Sequence, residues 1–468
     1  MRIRLNKIQC GGVSVMFNKR IVVPLICVAT LSTGYTSVSF AANWLTLQGT
    51  ESLSATGRAK VWGFVQAQFQ KDYSAANASN TYVPAKLIGP NLTAQDMFNV
   101  NRARIGVRGN SMSIGSKFNY FLLLEAGNNG ITAGAGHVKA TDASVTSTHI
   151  PYLKIRAGLF KYPGSEEGLQ AIHSFDYINF STVTNQLMLE RFPNDDNFTK
   201  NVENTGNTDA QPLGTSPSGF EKPVGAFRDV GIQIFDTINY LDYEISYAAM
   251  MGNGNGLNFG DNNGNKTLYG YFATEKVFSG QGARRQGVKF FAWYQKGLRA
   301  YDTNFINSTT SNAANSRTYA HYNRERSGLG FKFLKNSYRV SAEYMRGTGM
   351  IFLGSHKESF DMNAPLVNDG DGLSGKANGW YIDGGWRVFE TKFEIDARYD
   401  VYNRLTGDAL EVNFSTFTLG AQYFMNKKTR LAINYAIRNA SSANNNANLE
   451  NNLSGIGGRA GIQITTIF

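Results

Sequence analysis

Cysteine is almost absent from this 468-residue chain, and both cysteines, Cys10 and Cys27, lie within its first 41 residues. The remainder has no thiol, which excludes disulfide frameworks and thiolate metal sites. Long apolar runs are also absent: beyond residue 41 no stretch of about 18 apolar residues occurs, which excludes a helical membrane span. No linker divides the chain, although its length would suggest about three soluble domains. These absences favour one large closed sheet.

The first 41 residues have the composition of a secretory signal peptide. They hold five Lys or Arg and no acid, then the 11-residue apolar run IVVPLICVATL, with Ser39 and Ala41 at positions −3 and −1. We predict a signal peptide over residues 1–41, with translation starting at Met1 or Met16. Its removal leaves 41 basic against 35 acidic residues. The basic excess of the mature chain is therefore modest.

Sixteen segments with period-two alternation, bounded by turn residues, are predicted as strands. They lie near residues 58–70, 98–110, 115–127, 137–147, 152–161, 228–236, 240–251, 267–278, 287–297, 324–334, 338–347, 379–389, 392–402, 415–424, 429–438 and 459–468. Every odd-numbered gap between them is longer than every even-numbered gap. A transmembrane barrel separates short turns from long loops in this way, whereas a soluble β-sandwich has no reason to do so.

We therefore predict an all-β fold, a 16-stranded antiparallel transmembrane β-barrel over residues 58–468. Short turns are expected on the periplasmic side and long loops outside, with residues 42–57 as a periplasmic N-terminal segment. A large soluble sheet with one solvated face is the alternative. The 31 Phe and 23 Tyr, together with the signal peptide, favour a barrel with aromatic girdles in the bacterial outer membrane.

The segment AINYAIRN and the last strand show the two expected faces. Ile433, Tyr435 and Ile437 share a face suited to lipid, and Arg430 and Arg438 share the opposite face with other polar residues. The last strand, RAGIQITTIF, ends the chain on an aromatic residue, as in the signal that marks outer-membrane barrels for assembly. It must pair with the first strand, because an unpaired edge is not tolerated in hydrocarbon.

With the polar faces turned inward, basic residues outnumber acidic ones in the lumen by fifteen to ten. Arg102, Arg104 and Arg108 share one face of the second strand, and alternate residues of a strand lie about 7 Å apart. Such a ladder favours anions. The alternative is ordinary wall charge, with arginines paired to Glu125 or Asp142. The predicted basic residues that line the pore are Arg102, Arg104, Arg108, Lys117, Lys154 and Arg156.

The gap between the fifth and sixth predicted strands, residues 162–227, is 66 residues long. We predict that it folds inward as a constriction loop; an exposed surface loop is the alternative. If the loop faces the basic wall, acid and base on opposite sides give a transverse field. The predicted functional residues of the loop are Glu166, Glu167, His173, Asp176, Glu190 and Arg191.

At these residues the chain resembles the phosphate-selective porin family, the O and P porins. The resemblance is carried by NRARIGVRG, ATDAS, LKIRAGLFKYPG, GLQAIHSFDYINF and LERF, and later by RDVGIQ and GWYIDGG. It covers most of residues 98–235. It implies a 16-stranded, usually trimeric outer-membrane channel that passes anions through an arginine-lined lumen with an inward loop. Arg102, Arg104 and Arg191 match basic positions of the family pattern.

One stretch departs from that pattern. Phosphate-binding members carry Lys in a Ser-Ser-Lys-aromatic stretch of the loop, whereas this chain has Ser174, Phe175, Asp176 and Tyr177. Because an acid at the narrowest point would repel phosphate, we predict a general diffusion porin with a mild anion preference at most. The expected partners are outer-membrane lipid, small anions or other hydrophilic solutes, and two further copies of the chain in a homotrimer. We expect no cofactor, metal or nucleic acid.

Three other functions stay open from the sequence. A sugar-specific channel would use Trp62, Phe121 and Trp293 as a stacking track inside the pore. A barrel enzyme needs a nucleophile and a base at the rim, and the five histidines, His137, His149, His173, His321 and His356, have no companion motif. An adhesin would depend on long outer loops such as ASSANNNANLENNLSG.

Overall fold

The computed structural model describes most of the predicted barrel and none of the predicted signal peptide. The described residues are 43–46, 49–51, 56–75, 96–110, 117–129, 138–189, 225–257, 260–261, 264–280, 284–302, 319–351, 374–390 and 392–468. Residues 1–41 lie outside this set. No helix within it is long and apolar enough to cross a membrane.

Sixteen strands form, and each overlaps one of the predicted segments. They are β1 (Lys60–Asp72), β2 (Asp96–Asn110), β3 (Phe118–Ala126), β4 (Val138–Ile150), β5 (Leu153–Lys161), β6 (Arg228–Tyr240), β7 (Tyr243–Gly252), β8 (Thr267–Ser279), β9 (Gln286–Asp302), β10 (Tyr319–Lys335), β11 (Tyr338–Thr348), β12 (Lys376–Arg387), β13 (Phe393–Arg404), β14 (Val412–Phe424), β15 (Thr429–Ser442) and β16 (Arg459–Ile467). Every strand pairs antiparallel with its neighbours in sequence.

The sheet closes into a barrel because β1 pairs with β16. Their register runs from Phe64 opposite Ile467 to Asp72 opposite Arg459. The final residue continues this pairing: Phe468 N donates to Gly63 O at 2.9 Å, and Gly63 N donates to Phe468 O at 3.3 Å. Closure leaves no sheet edge to meet lipid, which confirms the predicted role of the last strand.

Connections differ in length between the two ends of the barrel. At one end, called here the short-turn end, only two residues join β4 to β5, β6 to β7 and β10 to β11. Each of these turns uses a left-handed residue, namely Tyr152, Leu241 or Asn336. At the long-loop end, 66 residues join β5 to β6. The difference in connection length between the two ends is less strict than predicted. Seven residues join β2 to β3 at the short-turn end, and seven residues also join β13 to β14 at the long-loop end, because β13 and β14 extend beyond the predicted bounds.

The two faces of the wall divide as predicted. On β15, Ile433 and Ile437 are 49% and 54% exposed on the outside, whereas Arg430 and Arg438 are 7% and 9% exposed on the inside. The outer face carries aromatic and aliphatic side chains around the whole barrel. A soluble sheet would turn such a face inward, so the exposed apolar belt identifies a membrane-spanning barrel.

The described part of the long β5–β6 connection, residues 162–189, folds into the lumen. It contains helix α1 (Glu166–Leu169), a 3-10 turn (Ile172–Ser174) and a π turn (Thr184–Met188). A second helix, α2 (Ala447–Leu453), lies between β15 and β16, and a 3-10 turn (Val388–Glu390) follows β12. Beside residues 179–182 a polar cavity of about 40 Å³ is left against β13–β16. The inward loop therefore lies against the inner face of these strands.

The loop is held to the wall along its whole described length. On the descending limb, Gln295 of β9 donates to Pro163 O at 3.1 Å. On the returning limb, Thr182 N donates to Asp400 Oδ1 at 2.7 Å, and Arg326 donates to Leu187 O at 3.3 Å. These contacts reach strands on the far side of the barrel from β5. The loop therefore spans the lumen, as the sequence predicted.

Candidate functional site

The lumen face of β2 carries Arg102, Arg104 and Arg108, as predicted, and two of them share one carboxylate. Arg104 Nη2 lies 2.6 Å from Glu125 Oε2 on β3, and its Nε donates to the same oxygen at 2.8 Å. Arg102 Nε lies 3.8 Å from Glu125 Oε1. The arginine ladder is therefore partly neutralised by the wall, which the alternative of ordinary wall charge had anticipated for Glu125.

Arg228, at the start of β6, belongs to the same wall and was missed by the sequence analysis. Its Nη2 lies 3.1 Å from Asp142 Oδ2 on β4, and its side chain is 2% exposed. Period-two counting places Arg228 on the outer face with Val230 and Ile232. The backbone breaks this parity, because Ala226 and Phe227, just before β6, have φ values of 44° and 65°. The one signal for Arg228 in the sequence is its position at the start of the predicted sixth strand, where the long loop ends.

Two further cations complete this wall on β5. Arg156 Nε donates to Thr146 Oγ1 at 3.2 Å, and its guanidinium lies 4.4 Å from the ring centre of Phe235. Lys161 Nζ donates to the carbonyls of Gly168, Leu169 and Gln170 at 2.8, 3.3 and 2.9 Å. These carbonyls end helix α1, where backbone oxygens lack helical partners. Lys161 thus ties the inward loop to the wall.

We call this group the basic wall. Arg102, Arg104, Lys161 and Arg228 lie within electrostatic reach of one another, and Arg156 lies within reach of Asp142 and Glu51. Among the described residues, five cations here share two ion-paired carboxylates, Glu125 and Asp142, and a third carboxylate, Glu51, also acts electrostatically on Arg156. The five cations are Arg102, Arg104, Arg156, Lys161 and Arg228. The lumen side of β2–β6 therefore keeps an excess of positive charge despite the ion pairs.

The other three predicted basic residues lie nearer the short-turn end. Arg108 Nη1 lies 2.6 Å from Glu51 Oε1. Lys154 forms an ion pair with Asp236. Lys117 is exposed and immediately precedes β3. The structure thus brings Arg102 and Arg104 together. Arg156 lies opposite Thr146 of β4, nearer the short-turn end, where Glu51 acts electrostatically on it and pairs with Arg108. Lys117 and Lys154 lie apart from Arg102 and Arg104.

The acids of the loop pair with the opposite side of the barrel. Glu166 Oε2 lies 2.7 Å from Lys289 Nζ of β9, and Glu167 Oε1 lies 3.2 Å from Arg398 Nη1 of β13. Burial opposes ionisation of Glu166, but the adjacent Lys289 ammonium lowers the pKa of that carboxyl. These two pairs fix helix α1 against the wall.

Asp176 lies at the deepest point of the loop. Its carboxylate lies 3.1 Å from Arg284 Nη2 and 3.4 Å from Arg339 Nε. Arg339 also pairs with Asp383 and, at 2.8 Å, with Asp396. Burial opposes ionisation of Asp176, but Arg339 and Arg284 hold the pKa of its carboxyl below the ordinary value. The sequence analysis expected this acid to repel phosphate at the narrowest point; in the structure two arginines offset its charge.

We call this second group the acid wall. It comprises an ion-pair network of five cations and seven carboxylates among the described residues. The cations are Arg284, Lys289, Arg339, Arg387 and Arg398, and the carboxylates are Glu166, Glu167, Asp176, Asp383, Glu394, Asp396 and Asp400. Acid is thus in excess on the loop and β11–β13, and base is in excess on β2–β6, so the lumen charge is segregated.

His173 lies between the loop and the first strand rather than beside a carboxylate. Its ring centre is 5.2 Å from that of Phe64 and 6.1 Å from that of Trp62. Burial, with the positive charge of Arg104 and Arg430, lowers the pKa of His173 to about 3. The imidazole is therefore neutral at physiological pH. Glu190 and Arg191, the remaining predicted loop residues, lie outside the described residues.

The aromatic residues considered for sugar stacking do not form an open track. Phe121 and Trp293 are 1% and 4% exposed. Trp293 Nε1 donates to Glu343 Oε1 at 2.7 Å, beneath the loop. Trp62 is half-buried, and its ring centre is 6.0 Å from that of Phe121. A ring that is covered in this way offers no face to a passing sugar.

Comparison with known proteins supports the fold. No protein-family model matches the chain, and no curated protein matches it. Among solved structures, an anion-selective porin from Comamonas acidovorans matches with a TM-score of 0.50 and 12% identity, covering 88% of this chain and 99% of that one. A loop L8 deletion mutant of OmpT, an outer membrane protein of Vibrio cholerae, matches with a TM-score of 0.50 and 10% identity over the same shares.

The chain has the fold of an outer-membrane porin. At these identities the likeness concerns the fold, and it does not extend to the chemistry of the lumen.

Proposed function

We propose that the protein is an outer-membrane porin that lets small hydrophilic solutes and ions diffuse passively, with a mild preference for small anions. The observation that carries the proposal is the basic wall, where five cations share two carboxylates inside a closed barrel. A positive lumen wall raises the local concentration of anions. The preference is mild because the acid wall faces the same lumen.

The resemblance to the phosphate-selective porin family supports this proposal through Arg102 and Arg104, which lie in the basic wall. The paired state of Asp176 also removes one argument against phosphate passage. Lys in the corresponding stretch is still lacking, so we propose anion passage without a strong phosphate site. We also propose that the short-turn end of the barrel faces the periplasm.

The test is single-channel recording of the purified protein in planar bilayers. We expect conductance steps, and in a KCl gradient we expect a chloride-to-potassium permeability ratio above one. The ratio should fall roughly two-fold in Arg102→Gln, the effect of one unit charge on ions about 10 Å away in water screened by salt. Lys266→Gln is the matched control, since Lys266 is an exposed loop cation paired with Asp261. Absence of steps, or strong cation selectivity, would refute the proposal.

The outer surface supports a homotrimer. From β1 to β6 the exposed aromatic side chains lie near strand ends, as at Phe98 and Tyr240, and the strand centres carry Ile105, Leu122 and Val145. From β7 to β15 aromatic side chains also occupy the strand centres. We propose that the aliphatic face of β1–β6 contacts two further copies of the chain. The mass of the detergent-solubilised assembly used for recording should equal that of three chains.

We propose no enzymatic role. Ser147 Oγ lies 2.9 Å from His149 Nδ1, the one described pairing of a hydroxyl with an imidazole that would suit a hydrolase. Both residues lie on the same short stretch near the end of β4, and His149 packs against the Phe118 ring at 4.7 Å. The described contacts of His149 include no carboxylate that would orient its ring.

A further inference from the structure

Residues 43–46 and 49–51, which precede β1, lie inside the barrel, although the sequence analysis assigned residues 42–57 to the periplasm. The two N–H groups of Asn43 Nδ2 are directed at three acceptors: Ser246 Oγ at 2.6 Å, Glu244 Oε1 at 2.9 Å and Thr237 Oγ1 at 3.0 Å. These acceptors are on β6 and β7, close to the short-turn end. A side-chain amide with three polar contacts on the inner wall is anchored there.

Apolar packing adds to this anchor. Trp44 and Leu45 are 8% and 3% exposed and belong to the apolar cluster that includes Phe235 of β6. Gly49 has a φ of +71°, and a Cβ added there would lie 3.2 Å from Thr146 Oγ1. The segment therefore passes close to the wall at Gly49, where a left-handed backbone without a side chain is favoured.

The segment ends at β2, where it contributes a carboxylate to the lumen. Glu51 Oε1 lies 2.6 Å from Arg108 Nη1, and Asn119 Nδ2 of β3 donates to Glu51 O at 2.5 Å. The side chain of Arg108 is 25% exposed, against 12% for Arg102 and 7% for Arg104. Arg108 is therefore the β2 arginine most open to solvent, and its nearest carboxylate comes from outside the barrel strands.

We propose that residues 43–46 and 49–51 are part of the pore wall and that Glu51 sets ion selectivity by offsetting the charge of Arg108. The proposal rests on the porin function proposed above. With Glu51 in place, the positive charge that favours anions is concentrated on the part of the basic wall that lies further from the short-turn end. Without it, Arg108 extends positive charge to the short-turn end, and anions meet a longer positive path.

The first experiment tests the location of the segment. Since the chain has no cysteine after residue 41, Asn43→Cys combined with Ser246→Cys introduces the only pair of thiols in the barrel. We expect a disulfide to form in outer-membrane preparations, detected by peptide mapping without reductant. If no crosslink forms in the folded protein, the segment does not line the pore and the proposal fails.

The second experiment tests the charge. Glu51→Gln should raise the chloride-to-potassium permeability ratio roughly two-fold, the effect of one unit charge about 10 Å from ions in water screened by salt. Glu51→Asp keeps the charge and should stay near the wild-type ratio, which separates charge from packing. Asp261→Asn removes an outer-loop carboxylate and should also leave the ratio unchanged.

The two proposals fail in different ways. If wild-type protein gives no conductance steps, the porin function itself is refuted. If wild-type protein conducts and Glu51→Gln leaves the permeability ratio unchanged, or if Glu51→Asp shifts it as much as Glu51→Gln does, the role of Glu51 is refuted while the porin function stands.

Discussion

The two sides of the lumen hold the same number of cations and differ in the number of carboxylates. Five cations share two carboxylates on the basic wall, and five share seven on the acid wall. On the acid wall the carboxylates hold the loop, because Glu166, Glu167 and Asp176 each pair with a strand residue. On the basic wall the positive excess is left to act on solutes. Charged residues of the same types thus anchor the loop on the acid wall and attract anions on the basic wall.

Removing Arg339 should break the acid wall and give the largest effect. Arg339 contacts four carboxylates, Asp176, Asp383, Glu394 and Asp396, and is 4% exposed. Removing a buried ion partner leaves uncompensated charge and costs about 3–5 kcal/mol. We expect Arg339→Met to lower the free energy of unfolding by that amount, measured by urea unfolding of the detergent-folded barrel. Loosening of the loop tip should also raise the conductance noise.

Lys266→Met is the matched control for this variant. Lys266 pairs with Asp261 in an exposed loop, and such surface pairs contribute about 0–1 kcal/mol. If Arg339→Met costs no more than this control, the network does not hold the loop, and the anchoring role of the acid wall is wrong.

Neutralising Glu125 should sharpen the basic wall. Glu125 is fully buried and offsets Arg102 and Arg104. Glu125→Gln leaves five cations with one carboxylate, so we expect the chloride-to-potassium permeability ratio to rise roughly two-fold. Reversal potentials in a KCl gradient measure this change. The amide keeps the shape of the side chain, but loss of this buried ion partner costs about 3–5 kcal/mol, so folded protein is purified before recording.

Asp383→Asn makes the matching change on the other side of the lumen. It leaves five cations with six carboxylates, and the acid excess there persists. We therefore expect a smaller shift than for Glu125→Gln. Equal shifts in the two variants would mean that ions respond to total charge alone and that the segregation of charge between the walls has no effect on permeation.

The strands could be predicted from the sequence because each depends on local information. Alternation of polar and apolar residues, as on β15 from Arg430 to Arg438, reports which face meets lipid whatever the partner strand is. The inward loop was also predictable, since its length sets it apart from the other connections. The closed barrel confirms the strands, and the contacts of Pro163, Thr182 and Leu187 with β9, β13 and β10 confirm the inward loop.

The charge partners could not be predicted, because they depend on how distant segments meet. Arg228 escapes period-two counting through the left-handed residues before β6. Asp176 was expected to repel phosphate, since nothing in the sequence places Arg284 and Arg339 beside it. Glu51 stands in a segment without strand periodicity, so only the folded chain shows its contact with Arg108.

His173 lies between the two walls, and its replacement should have the smallest effect. Burial, with Arg104 and Arg430, lowers its pKa to about 3, so the ring is neutral at pH 7.5 and still neutral at pH 4.5. Its charge therefore does not change across this range, and His173→Gln should show the same dependence of conductance on pH as wild type. A conductance step near pH 6.5, the ordinary value for histidine, that is present in wild type and absent from the variant would show that His173 titrates in the pore. The positive charge of that side of the lumen would then vary with pH instead of being fixed by arginine and lysine.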